Sequence, residues 1–296
     1  MLDSIADALK SFYEIGYNVW NHLISIAVTL FTTSPTAAAG GSLYSTAHGL
    51  FLSITSISLP IAIVFFLLAL IQDVMNSPAD QQFRQFIKDF VKFGVMVGIL
   101  ANLWTIMGYV MQIADGVTNA FSASTPSYNL SLSSELSTII TEVTTAPVYE
   151  GDVWQYVCDF LSVLVGILFF FISGAITLVT IIAAAISIIN SAFQRIIKPL
   201  VILPFSAITV ALASGTHEAG RTTAQYLKTF FGFCISGAFM IVAIKLGVNL
   251  SNGLISLSLG SSIFEKALLI SIQTAITPIL IAGLVKSADS TIARFL

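Results

Sequence analysis

Two long stretches of this chain carry no formal charge. No Asp, Glu, Lys or Arg falls between Glu14 and Asp73, and none between Asp159 and Arg195. A helix in water needs a polar face, whereas a charge at the centre of a bilayer costs several kcal/mol. Uncharged runs of this length are therefore what hydrocarbon selects. Composition agrees: 9% of the residues are charged and 56% are hydrophobic, with a mean hydropathy of +0.93. A soluble domain holds roughly 25% charged residues. Here 12 Lys/Arg and 15 Asp/Glu would have to cover 296 residues. The chain reads as all-α, a polytopic helical membrane protein.

A spanning helix takes about 20 mostly apolar residues. Five spans are predicted, at about 47–72 (centred on IAIVFFLLAL), 93–113, 157–191, 229–250 and 267–285. Pro60 is expected to kink the first, and Pro278 falls inside the last. Ser262 and Glu265 have capping-box spacing for the start of that last helix. Two segments stay open. Residues 15–33 are apolar but hold Asn18, Asn21 and His22. Residues 199–213 are short and carry Pro199 and Pro204, which suits a re-entrant or broken segment.

Orientation follows from the Lys/Arg bias. With five spans and an outer N-terminus, the inner side holds Arg84, Lys88, Lys92, Arg195, Lys198, Arg221, Lys228, Lys286 and Arg294. The outer side holds Lys10 and Lys266, and Lys245 lies within a span, where snorkelling to the outer interface would accommodate it. On this reading residues 1–46 are an N-terminal amphipathic helix and linker on the periplasmic side, and 47–296 are the transmembrane domain. The latter has an external loop at 114–156 and inner segments at 73–92, 191–228 and 286–296. If 15–33 crosses instead, only the N-terminus changes side.

The extramembrane pieces have helical signatures. Ile5, Leu9, Phe12, Gly16 and Trp20 form one face of a helix over 1–23, opposite Asp3, Asp7, Lys10 and Glu14. In 73–92, Arg84, Lys88 and Lys92 recur every four residues beside Phe83, Phe86, Ile87 and Phe90, and Pro78 suits the first turn. Basic residues there suit lipid headgroups or a cytosolic motor. The loop 114–156 has no Lys or Arg, includes Asp115, and reads as helical over 134–145. Ala37–Gly41 (AAAGG) reads as a hinge-like linker.

Motifs for catalysis are missing. There is no GxxxxGK[ST] and no GxSxG. His217-Glu218 lacks the second histidine of a zinc helix, since position 221 is Arg. No metal ligand set, cofactor site or catalytic residue is expected. Cys158 and Cys234 form no CxxC and read as small buried thiols. A net charge of −3 argues against a broad nucleic-acid surface. The opening MLDSIADALK does not look like a cleavable leader. Gly94 and Gly98 form a GxxxG suited to close helix packing, and Gly232 and Gly237, with Gly166 and Gly174, give further small-residue faces, within the chain or between subunits. The shortage of charge inside the spans weighs against a charge-coupled transporter.

The stretch Ser191–Phe231 reads SAFQRIIKPLVILPFSAITVALASGTHEAGRTTAQYLKTFF. A long apolar helix closes on Arg195 and Lys198. Pro199, a short apolar run broken at Pro204, small residues, His217 and Arg221 follow, then Ala-Tyr226-Leu-Lys228. This passage resembles the TrbL-like polytopic inner-membrane subunits of type IV secretion (conjugal transfer) machines. The expected five spans, external loop and inner C-terminus resemble that family more loosely, and the long C-terminal extension of some members has no counterpart here. The resemblance implies a non-enzymatic scaffold and channel subunit of the bacterial inner membrane. It would support translocation of single-stranded DNA or protein and pilus assembly, with pilin, a pilus-tip or stalk protein and motor ATPases as partners, and would form a homo-oligomer. Carried over by position, Arg195, Lys198, Pro199, His217, Arg221, Tyr226 and Lys228 would make the inner connection, beside Arg84, Lys88 and Lys92. A loop at 114–156 without basic residues would not hold DNA through its phosphates. The competing reading is a small-solute transporter or channel.

Overall fold

The structure is a computed structural model. It describes residues 2–76, 78, 80–124, 128–145, 153–215, 217–254 and 263–295; side chains are described for all of these except 2, 3, 217–219, 251–254, 263–266, 289 and 292–295. Among the described residues the chain is helical throughout, with no strand. The helices are α1 (Leu2–Thr32), α2 (Ser42–Asn76), α3 (Gln82–Ala101), α4 (Leu103–Ala123), α5 (Ser134–Thr144), α6 (Val153–Ile202), α7 (Ser206–Leu212), α8 (His217–Leu254) and α9 (Ile263–Phe295).

Four stretches are long and apolar enough to cross a membrane: Ala38–Asn76, Val153–Leu212, Gly220–Leu250 and Ala267–Ala288. The expected second span is instead a bent pair, α3 and α4, meeting at 64°. Asn102 sits at the break. Its amide Nδ2 donates to Gly98 O at 3.0 Å and its backbone N–H to Ile99 O at 3.1 Å, so α3 is capped and terminated there. α2 runs helically through Pro60. In the stretch 73–92, Pro78 lies between α2, which ends at Asn76, and α3, which begins at Gln82, and not in the first turn of α3. α6 extends beyond the expected 157–191. At about 1.5 Å per residue it is roughly 75 Å long, far more than a hydrocarbon core of about 30 Å. Residues 199–213 are broken by a 3₁₀ turn at Leu203–Phe205, where Pro204 sits. Ser262 lies outside the described residues.

The chain forms two compact units. The first comprises Met1–Leu30, Ser124–Ala192 and Met240–Ala288. Here α1 buries Ala6, Leu9, Tyr13, Tyr17, Trp20, Ile24 and Ala27 at helical spacing. It packs along α6. The Tyr13 hydroxyl donates to Phe170 O at 3.2 Å, and Phe12 stacks on Phe171 with centroids 5.7 Å apart. Gly174 admits this approach, since a Cβ there would lie 2.9 Å from the Phe12 ring. So α1 lies against the uncharged body of a candidate span. Asn21 clamps the backbone of Leu130 from both sides at 2.9 Å, which anchors the chain ahead of α5. Ser133 caps α5 by accepting from Leu136 N–H at 3.1 Å. Leu136, Ile139 and Ile140 then share one core with Leu9, Tyr13 and Phe170.

The second unit comprises Phe31–Ala123, Phe193–Phe239 and Asp289–Leu296. It opens with a 3₁₀ turn at Ala38–Gly41, where Ala39, Gly40 and Gly41 all take positive φ, at 52°, 64° and 82°. Glycine accepts this region freely and alanine at a cost of about 1–2 kcal/mol. Its core joins Phe51, Leu103, Met107, Met111, Leu203, Val210 and Phe230. Trp104 is boxed by Tyr44 and His48, both 4.6 Å away, and Phe51 at 5.2 Å. Many large apolar side chains outside these cores are exposed, Leu67, Leu68, Leu164, Leu168 and Val179 among them. Hydrocarbon as the surrounding phase accounts for such surfaces.

Candidate functional site

The most unusual chemistry lies in the second unit, where the basic passage enters the fold. Arg195, expected on the inner side, does not stand at the surface. It is 1% exposed and pairs with Asp115, Nη2 to Oδ1 at 2.7 Å. Its Nη1 donates to Thr33 O at 2.9 Å and also to Phe31 O. Those two carbonyls lie at the end of α1, where the last turn of a helix has no internal donors. One guanidinium thus neutralises a buried carboxylate and caps a helix carrying partial negative charge at its C-terminus. Asp115 Oδ2 and Arg195 Nε are buried with no hydrogen-bond partner among the described residues. Gly237 explains how the guanidinium fits. A Cβ at that position would sit 2.4 Å from Nε. Cys234, in the same unit, is a buried free thiol.

This pair overturns two expectations. Asp115 is buried within α4, which continues to Ala123, and does not begin an external loop. Charge inside the protein is not confined to Lys245. Lys245 is 5% exposed and donates to Ser124 O, just past the end of α4. A third cation behaves similarly, with Lys92 Nζ 3.3 Å from Gly215 O beyond the end of α7. Cys158 is exposed, not buried.

The rest of the passage satisfies the backbone freed where α6 breaks. Pro199 is buried within α6 and does not end it. The Tyr226 hydroxyl donates to Ile202 O at 2.8 Å, the last residue of α6. Thr223 Oγ1 donates to Thr209 O at 2.6 Å, and Ser214 Oγ to Ala62 O at 2.8 Å. Lys198 Nζ lies 5.6 Å from the Phe233 ring centroid, within cation–π range. Side chains expected to meet partners, Arg195, Pro199 and Tyr226, are therefore occupied inside the subunit. Arg84, Lys88, Arg221 and Lys228 are exposed. His217 opens α8, and its side chain is outside those described.

Glycine use follows expectation in part. Among the described residues nothing approaches within 4 Å of a Cβ built on Gly94 or Gly98, so the GxxxG makes no close helix contact there. Close packing falls on the expected Gly166, Gly174 and Gly237, and on Gly247, where a Cβ would meet side chains at 2.3–2.9 Å.

Among the described residues no group of three or more His, Cys, Asp or Glu could hold a metal ion. Among the described residues the fold is all-helical, with long apolar helices of the kind a multi-pass membrane protein has. No family model, curated protein or solved structure matches the chain.

Proposed function

We propose that this chain is a TrbL-like subunit of a type IV secretion machine, a non-catalytic scaffold and channel component of the bacterial inner membrane. It would support passage of single-stranded DNA or protein and assembly of the pilus, with partner ATPases supplying the energy. The observation that carries this reading is the passage Ser191–Phe231. Its basic, proline and Tyr-Leu-Lys positions resemble the family, and its side chains build one tightly bonded break between long helices. The exposed Arg84, Lys88, Arg221 and Lys228 suit the cytoplasmic side under the positive-inside bias. Five crossings, counting the bent pair as one, agree with it. The open Gly94–Gly98 face supports contact with a second subunit.

The test is deletion of the chain in a donor cell and complementation in trans. Transfer is expected to fall to background and to return with the wild-type chain. Pilin and motor subunits are expected to co-purify in mild detergent. Undiminished transfer in the deletion strain would overturn the assignment.

One observation favours the alternative of a small-solute transporter or channel. A buried charged pair in a membrane protein often marks a solute path, and Arg195–Asp115 is such a pair. That reading predicts flux by the purified protein alone in liposomes, lost on Arg195→Met.

A further inference from the structure

The first half of α3 has three distinct sectors. At about 100° per residue, Gln85, Asp89, Phe93 and Met96 share the face turned to the protein. Asp89 is buried, Gln85 Nε2 lies 3.3 Å from its Oδ1, and Phe93 stacks on Phe66 with centroids 4.3 Å apart. On one flank Phe83, Phe86, Ile87 and Phe90 are all exposed, Phe83 at 75%. On the opposite flank are the exposed Arg84 and Lys88, with Lys92 a further turn along reaching Gly215 O at 3.3 Å. The only acidic residue of α3, Asp89, is thus turned inward, and both outer flanks are free of negative charge from the helix itself.

We propose that residues 82–93 form an interfacial helix that selects anionic phospholipid. The aromatic flank enters the acyl boundary, and the basic flank binds headgroup phosphates. A helix with an apolar side and a basic side lies in the plane of the interface with its apolar side about 5–10 Å deep. The 64° bend at Asn102 sets α3 off the axis of α4, so the first half of α3 can lie near the interface at the start of the crossing that the pair makes together. The occupant is lipid and not a soluble protein, because the exposed residues combine three phenylalanines with cations on separate edges. A purely polar docking face would not leave Phe83 and Phe90 uncovered in water. The inference needs only the membrane reading and is independent of the secretion assignment, so loss of one leaves the other standing.

Two measurements on the full chain in vesicles test it. In a Cys158→Ser background, spin labels are placed at Ile87→Cys and Lys88→Cys. Position 87 is expected to be open to oxygen and shielded from a water-soluble nickel chelate, and position 88 the reverse. Equal chelate access at both sites would overturn the proposal. The second measurement compares association of spin-labelled phosphatidylglycerol with that of phosphatidylcholine. The wild type is expected to prefer the anionic lipid, by up to about fivefold for each basic residue engaged. The Arg84→Gln/Lys88→Gln variant, and wild type in 1 M salt, are expected to lose most of that preference. An unchanged preference in the variant would overturn the proposal. If that variant also loses a co-purifying soluble protein, the basic flank is a protein-docking site instead.

Discussion

Removing Asp115 while keeping Arg195 leaves a guanidinium buried without its counter-ion. Stripping one partner from a buried pair costs about 3–5 kcal/mol, because the remaining charge cannot reach water. Asp115→Leu is expected to fall in that range, toward its lower end, since Arg195 keeps Phe31 O and Thr33 O as acceptors. Arg195→Met is the harsher change. It strands Asp115 and also uncaps two carbonyls, worth together about 1–3 kcal/mol, bracketing membrane and general hydrogen-bond values. The double variant Asp115→Leu/Arg195→Met removes both charges and retains only the carbonyl loss. It is therefore expected to be more stable than the Arg195→Met single, with a coupling of roughly 3 kcal/mol or more. Asp115→Asn, which keeps an acceptor, should lie between wild type and Asp115→Leu. Reversible unfolding in mixed micelles, titrated with a denaturing detergent, measures all four. Additivity of the two single changes within about 0.5 kcal/mol would refute the pairing and the burial together.

Gly237→Ala drives a methyl group onto the Arg195 side chain and is expected to cost about 1–3 kcal/mol in the same unfolding assay. Gly94→Leu meets open space and should leave monomer stability unchanged, whereas Gly166→Leu collides with Val143 and should prevent folding; a cross-linking assay on Gly94→Leu then reads subunit contact separately. Tyr226→Phe keeps the ring on Phe230 and loses the bond to Ile202 O, for an expected loss of about 0.6 kcal/mol and no more than about 1.7. Ala39→Gly relieves a positive φ and is expected to raise the unfolding midpoint, a result that an unchanged or lowered midpoint would contradict.

Much of the helix inventory is legible because it follows from local properties. Charge-free runs locate the long apolar helices, since every charge in hydrocarbon carries a penalty wherever the chain goes next. Of the stripe Ile5, Leu9, Phe12, Gly16 and Trp20, Leu9, Gly16 and Trp20 are buried while Ile5 and Phe12 flank the buried face of α1, and the polar segment 134–145 holds α5 almost to the residue. These depend on period and composition within one segment. Pairings between distant segments do not. Arg195 at the end of an apolar run looks like an interfacial anchor, and nothing nearby in sequence points to Asp115, 80 residues earlier, or to the carbonyls of Phe31 and Thr33. Small residues at Gly166, Gly174 and Gly237 mark close approaches that the structure holds, but the familiar spacing of Gly94 and Gly98 marks none among the described residues, and Gly247 packs where a neighbouring side chain happens to arrive. The bend at Asn102 was masked by an apolar run continuous on both sides of it.

By itself, the sequence determined the solvent of this protein and the axis of most of its helices, because hydrophobicity and spacing act segment by segment. Only the tertiary structure decided which cations are inside. A buried charge is tolerated where a specific acceptor from another helix meets it, and that meeting is a property of the packed chain.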